Sequence, residues 1–225
     1  MKSNSHTLDY EFKYRFEDKD IHSIRHWINQ FHSPDPLHPK YIVATHYYDV
    51  EDLNTALSFP TSELPTDKYR LRQYKKNEKD GFTDYFIEYK SRSPDGKRFK
   101  IKKSLPAHHS LLHPNQIHGS EIFHSSSIKG FLNLKYALTM TYVRERFVPR
   151  DHSYSICLDS DISIVSSRFH QNFSHLNKCP VNILEVKTST PDIIAHLNFP
   201  THLINGRYFS KYKYACETSF IKDNK

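Results

Sequence analysis

The chain has 225 residues, enough for one large β-rich domain or two small ones with a sizeable core. Its 15 Tyr and 15 Phe favour strands, while 5 Gly argue against a glycine-rich phosphate loop, and neither GxxxxGK(S/T) nor GxGxxG occurs. A net charge of +7, from 32 Lys and Arg against 25 Asp and Glu, points to an anionic partner without naming it.

Residues 9–16 alternate strictly, with Tyr10, Phe12, Tyr14 and Phe16 on one side and Glu11, Lys13 and Arg15 on the other, which predicts a strand. Ile21, Ile24, Trp27, Ile28 and Phe31 keep helical spacing after Asp18 or Asp20 as N-cap, with Trp27 expected in the core. The SPDPLHP segment reads as a loop, 41–48 as a strand, and Val50, Leu53 and Leu57 as the face of a short helix. Strand patterns recur at 67–76, 82–92 and 97–104, separated by turns that use Asp-Gly chemistry. Residues 105–126 are expected as a His- and Ser-rich loop, and about 128–138 as a helix. Strands follow at 139–148, 153–165 and 181–188, and Thr190 with Pro191 predicts a short helix over 191–197. The tail fits a helix or a last strand. No interior linker divides the chain, so one domain over 1–225, with a core at about 9–215, is expected.

Three widely spaced cysteines, Cys157, Cys179 and Cys216, form neither a disulfide framework nor a CxxC knuckle, which predicts a reducing cytoplasm. The polar start carries no signal-peptide pattern, and no run approaches a membrane span. His108, His109, His113, His118 and His124 lack zinc-site spacing and read as solvated loop histidines.

The charged parity of the strands carries the chemical signal. It holds Glu11, Lys13 and Arg15; Lys68, Arg70 and Arg72; Glu88, Lys90 and Arg92; Arg98, Lys100 and Lys102; Arg144 and Arg146; and Glu185 and Lys187. Charges on the wet face of an antiparallel sheet are ordinary. Here, however, they are biased to Lys and Arg, and the carboxylates recur as Glu-x-Lys at Glu11, Glu88 and Glu185. Turned inward in a barrel, such a set is tolerable when wet or when it binds a polyanion. Arg presents a fork that suits phosphate oxygens, and glutamates suit Mg²⁺ or Mn²⁺. Asp159 and Asp161 are candidates to aid a metal or, given the excess of cations, to pair with arginines. Cys157 shares the parity of Asp159 and is expected as a packed, inert thiol.

The segments EFKY (11–14), HYYD (46–49), KYRLRQY (68–74), FIEYKSR (86–92), FKIKK (99–103), TYVRERF (141–147), CLDSDI (157–162), NILEVK (182–187) and FSKY (209–212) follow one another in an order that resembles the VTC domain. That domain is the polyphosphate polymerase module of the vacuolar transporter chaperone complex, within the triphosphate tunnel metalloenzyme (CYTH-like) superfamily. The resemblance implies an α+β fold: a closed antiparallel β-barrel tunnel of about eight strands, with helices outside and basic residues lining the lumen. By position, Lys13, Arg70, Arg72, Lys90, Lys100 or Lys102, Arg144 and Lys211 match the family's phosphate-binding residues, and Glu185 its metal-binding glutamate. One departure is Ser155, which stands where the family has an arginine four residues before the Asp of its (T/S)-(F/L)-D motif; Arg150, Arg146 or His152 are the local substitutes.

The implied reaction moves the γ-phosphoryl of ATP, or of another triphosphate, onto a polyphosphate chain. Arg70, Arg72, Arg144, Lys90 and Lys211 form the expected catalytic set, supported on phosphate by Lys13, Arg15, Lys68, Lys100, Lys102, Arg146 and Lys187. Glu185, with Glu11 or Glu88, would hold the metal. A tri- or polyphosphate hydrolase and a non-catalytic polyphosphate binder are the alternatives. Nucleic acid is not an expected partner, since no RNP-like, helix-turn-helix or zinc-finger pattern occurs. A monomer is expected, with a membrane-protein partner left open.

Overall fold

The computed structural model describes residues 10–50, 67–92, 98–105, 133–167, 177–190, 192–204, 206 and 209–221. In chain order the elements are β1 (Tyr10–Glu17), a 3-10 turn (Asp18–Asp20), α1 (Ile21–Phe31), β2 (Ser33–Pro34), β3 (Lys40–Asp49), β4 (Lys68–Lys75), β5 (Asp84–Arg92) and β6 (Arg98–Ser104). These are followed by β7 (Lys135–Val148), β8 (Tyr154–Ser167), β9 (Asn177–Lys178), β10 (Val181–Thr188), α2 (Ile193–His196), a second 3-10 turn (Thr201–Leu203) and α3 (Lys211–Ile221). The chain packs as two compact units, the first within Met1–Ile42, Tyr142–Ser163 and Lys178–Phe209, the second within Val43–Thr141, Ile164–Asn177 and Ser210–Lys225.

In the first unit the strands run in the order β1-β10-β8-β7, with β2 added to β7 and β9 to β8. Alternation buries Tyr14 and Phe16 of β1, Leu184 and Val186 of β10, and Ile156 and Leu158 of β8 on one side. The stripe Ile24, Trp27 and Ile28 of α1 closes over that side, so Trp27 is core as its helical spacing predicts. Each Ile or Leu fully removed from water here contributes roughly 1.5–3 kcal/mol. Asp20 stands at the N-cap of α1 without a side-chain cap bond. Arg25 ties the helix to Glu145 of β7, Nε to Oε1 at 3.0 Å.

In the second unit the order is β7-β3-β4-β5-β6. Tyr69 and Leu71 of β4, Ile87 of β5, Tyr48 of β3, and Leu134 and Tyr136 make its core. The opposite parity of β4 and β5 is the charged one. α3 is fastened to β3: the Tyr212 hydroxyl donates to buried Asp49 at 2.6 Å, and the Tyr212 ring stacks on Tyr47 at 4.4 Å. Tyr212→Phe removes a charge-assisted hydrogen bond from a buried site, and chemical denaturation should report a loss of about 1.5–3 kcal/mol.

The pairings β1–β10, β10–β8, β2–β7, β4–β5 and β5–β6 are antiparallel. Among the described residues no ladder joins β1 to β6, the two ends of the strand order, so the architecture established is an antiparallel sheet with few helices. One expectation changes and one open reading closes. The helix expected to reach residue 138 gives way to strand from Lys135, because sheet pairing on both sides of β7 outweighs the helix propensity of a short Lys-Tyr-Ala-Leu run. Of the two readings of the tail, the helix is found. The expected helix through Leu53 and Leu57, the 105–126 loop beyond residue 105, and the loop histidines lie outside the described residues.

Candidate functional site

The expected site residues fall into two clusters, one in each unit. In the second unit strand register sets them in rows on the charged face of β4, β5 and β6. Lys68, Lys90 and Lys100 stand opposite one another; Arg70, Glu88 and Lys102 form the next row; Arg72, Phe86 and Ser104 the one after. These three rows carry six cationic side chains and a single carboxylate. Glu88, 1% exposed, is the hub. Arg70 donates to its Oε2 through Nε at 2.8 Å, Arg72 Nη1 lies 3.4 Å from the same oxygen, and Lys100 Nζ is 3.7 Å from Oε1. Burial alone would push this carboxyl up, but the charges of Arg70, Arg72 and Lys100 win and hold it well below the usual carboxylate range. Lys68 reaches the Ser210 hydroxyl at 3.1 Å, beside Lys211, the first residue of α3. Ser210 also accepts from the Lys213 backbone N–H at 3.3 Å, as a helix cap does.

In the first unit the rows are Glu11, Lys187 and Ser155; then Lys13, Glu185 and Cys157; then Arg15, Ile183 and Asp159. The Lys13 ammonium sits 2.7 Å from Glu11 and 3.6 Å from Glu185, so one cation bridges two carboxylates. Glu185 also meets Lys187 at 2.9 Å and Arg144 at 3.9 Å. The charge of Glu185 outweighs burial and raises the Lys187 ammonium above its ordinary range. Arg144 grips Asp159 with both arms of its fork, at 2.6 and 2.7 Å. Burial opposes the Arg144 charge, but buried Asp159 overcomes it and raises the guanidinium further. Asp159 therefore pairs with an arginine, as the excess of cations implies.

Other expected residues stand apart. Asp161 adopts a φ of 50°, which breaks the strand alternation; its exposed carboxylate meets Lys178 at 3.2 Å, away from the Asp159 pair. Arg146 binds Asp35 at 3.0 Å, and Asp35 in turn accepts from the Leu37 and His38 backbone N–H groups. Exposed Arg15 lies along Gly206, whose φ of 146° suits only glycine and where a Cβ would meet the Arg15 Nε at 3.1 Å. Cys157, Cys179 and Cys216 are free and buried. Burial pushes the Cys157 thiol up despite Arg144 and Lys187, which keeps it an unreactive thiol.

Divalent-metal chemistry is implied by the family pattern, and its donor set can be tested on these residues. Glu11 and Glu185 fit as hard oxygen donors that share Lys13, although Glu185 also meets Lys187 and Arg144, and a Mg²⁺-like ion taking one or two carboxylates plus phosphate oxygens and water would displace those contacts. Glu88 fits less well, because Arg70 and Arg72 already occupy it. Among the described residues no three metal-ligating side chains converge.

Sequence reasoning assigned Glu88 to metal and missed its role as the arginine hub. Its burial follows from the register with Arg70, which a single sequence does not display. The links from Asp49 to Tyr212 and from His46 to Thr139, the latter at 2.7 Å, were likewise unforeseen, although His46 and Asp49 sit in the HYYD segment and Tyr212 in FSKY.

An antiparallel sheet that sets six cations against one carboxylate on β4–β6, and Lys13, Lys187 and Arg144 against Glu11, Glu185 and Asp159 in the first unit, defines a β protein with two charged clusters on its strands. The particular family is equally plain: the chain belongs to the VTC domain family, whose sequence model matches residues 8–220. A search of curated proteins returned no match. Among solved structures it is similar to a candidate adenylate cyclase from Bacillus halodurans, at 14% identity and TM-score 0.49, covering 84% of this chain and 85% of that one. It is also similar to a candidate adenylate cyclase from Vibrio parahaemolyticus, at 13% identity and TM-score 0.47, covering 94% and 98%. At these values neither likeness speaks to activity. No helix among the described residues is long and apolar enough to cross a membrane.

Proposed function

We propose that the chain is a metal-dependent polyphosphate polymerase that transfers the γ-phosphoryl of ATP, or of a related triphosphate, to a growing polyphosphate chain. The observation that carries this reading is the β4–β6 face, where the Lys68, Lys90 and Lys100 row adjoins Arg70 and Arg72 around one buried Glu88. Lysines directly opposite one another on adjacent strands repel, which is destabilising for the sheet. A polyphosphate chain relieves that repulsion along its whole length. Membership of the VTC domain family supports the same conclusion. A closed tunnel of about eight strands belongs to this proposal, as do a single domain, a cytoplasmic setting and a monomer.

Phosphoryl transfer asks for alignment and charge neutralisation rather than covalent help. Arg70 and Arg72 are held at fixed angles by Glu88, so their remaining N–H groups are pre-oriented for phosphate oxygens. Arg144 is fixed by Asp159 in the same manner. Lys68, Lys90, Lys100 and Lys102 track the chain as point charges, and Lys211 stands beside the Lys68 contact. Glu185 and Glu11 would hold Mn²⁺ or Mg²⁺, which when bound neutralises charge on the transferred group.

The test is incubation of purified protein with ATP and Mn²⁺, with and without a short polyphosphate primer, resolving chains on a gel and assaying free phosphate. A ladder of chains is expected, reduced about 100-fold or more in Arg70→Ala. Free phosphate without chains would overturn the polymerase in favour of a hydrolase. A second reading, binding without turnover, has its own observation: Ser155, opposite Lys187 in register, places a short hydroxyl where the family has an arginine. Polyphosphate binding with neither product would establish it.

A further inference from the structure

On the β4–β6 face the chemistry changes along the strands. The first row is entirely lysine, the second pairs Arg70 and Lys102 with Glu88, and the third sets Phe86 between Arg72 and Ser104. Tyr74 follows two residues after Arg72, opposite Asp84. Phe86 and Tyr74 form an edge-to-face pair, with centroids 5.8 Å apart and planes at 76°. Both rings lie on the parity of the arginines, opposite the apolar cluster of Tyr69, Leu71 and Ile87, and neither belongs to that core. Lys102 holds its ammonium 3.8 Å from the Phe86 centroid and 5.6 Å from that of Tyr74. Arg72 Nη1 donates to the Tyr74 hydroxyl at 3.4 Å, joining the rings to the phosphate clamp.

A half-buried phenyl ring on an otherwise ionic face adds nothing to phosphate binding. Its flat π surface is what a heterocyclic base needs. We propose that Phe86 and Tyr74, with Lys102 as a displaceable cover, form a nucleobase platform beside Arg70 and Arg72, so that a nucleoside triphosphate enters base-last with its phosphates toward the lysine row. This rests on the phosphate-binding reading of the same face. A lysine over a partly exposed ring is held more weakly than a stacked base, so the base displaces Lys102, whose flexible stem then brings its charge toward the phosphates. The platform selects for a nucleotide over a bare phosphate chain, and because stacking is tolerant of base identity, it discriminates little between purines.

Titration calorimetry on the full chain with ATP and with inorganic tripolyphosphate tests this. Phe86→Leu keeps apolar bulk but loses the flat ring, so it separates stacking from a loss of fold; Phe86→Ala and Phe86→Trp complete the series. Leu and Ala are expected to weaken ATP about tenfold while tripolyphosphate stays within about twofold, and Trp to retain ATP. Equal losses for the two ligands, or no loss for ATP, would overturn the platform. A wild-type protein that binds neither ligand would overturn the phosphate face itself, an outcome read from the unmutated chain alone.

Discussion

Glu88→Ala is expected to destabilise the protein by about 3–5 kcal/mol, because it leaves Arg70 and Arg72 as charges without their shared carboxylate in a nearly dry site. The side chains of the two arginines are only 12% and 7% exposed, so water compensates little. Urea unfolding at neutral pH measures the loss, and a change under about 1 kcal/mol would mean that the hub is a solvated pair. The pH dependence has a definite sign. The folded carboxyl is held well below its range, whereas in the unfolded chain it titrates near about 4.3. The contribution of Glu88 is therefore complete above about pH 4.3 and is lost as pH falls from there through the folded value. Glu88→Gln removes that share of acid sensitivity, so its unfolding midpoint should change less between pH 5 and 3 than that of the wild type. With tripolyphosphate present the Ala variant should recover part of its stability, since the anion supplies the charge the carboxylate provided.

Glu185→Ala is expected to reduce turnover by about 100-fold to 1,000-fold while polyphosphate affinity holds or rises. The two halves of that expectation have separate causes. Removing the carboxylate takes away the proposed metal donor, and it also frees Lys13, Lys187 and Arg144 of a shared anion. A cluster with one fewer negative charge attracts a polyanion more strongly. Parallel measurement of chain synthesis and polyphosphate binding separates the cases. Turnover within tenfold of wild type would remove Glu185 from the metal role. Loss of binding together with turnover would show that it organises the cations instead, and Glu185→Gln, which keeps the shape, would then retain affinity.

Much of the strand framework was legible because its signal is local. Tyr14 and Phe16 against Lys13 and Arg15 announce a two-sided strand without any knowledge of neighbours, and Ile24, Trp27 and Ile28 announce a helix stripe. The segment from Lys135 to Leu138 was misread because the pattern there is ambiguous. Its conformation is decided by pairing with distant strands, where tertiary context overrides propensity. The shared face of Arg70 and Arg72 was equally readable, since residues two apart on a strand point the same way. The partner of that face was not.

The amino-acid sequence alone determined the strand periodicity, the excess of cations on one parity and membership of the VTC domain family, because each is a property of residue order. Only the tertiary structure decided which carboxylate serves which cation. Glu88 went to Arg70 and Arg72, Asp159 to Arg144, and Glu185 across the sheet to Lys13, although all three acids stand on the charged parity of their strands. The reason is physical: an ion pair depends on strand order and register, which join residues far apart in the chain. An excess of cations shows that a carboxylate will be claimed but not by which partner, and that choice decides whether it anchors arginines or remains fit to hold a metal.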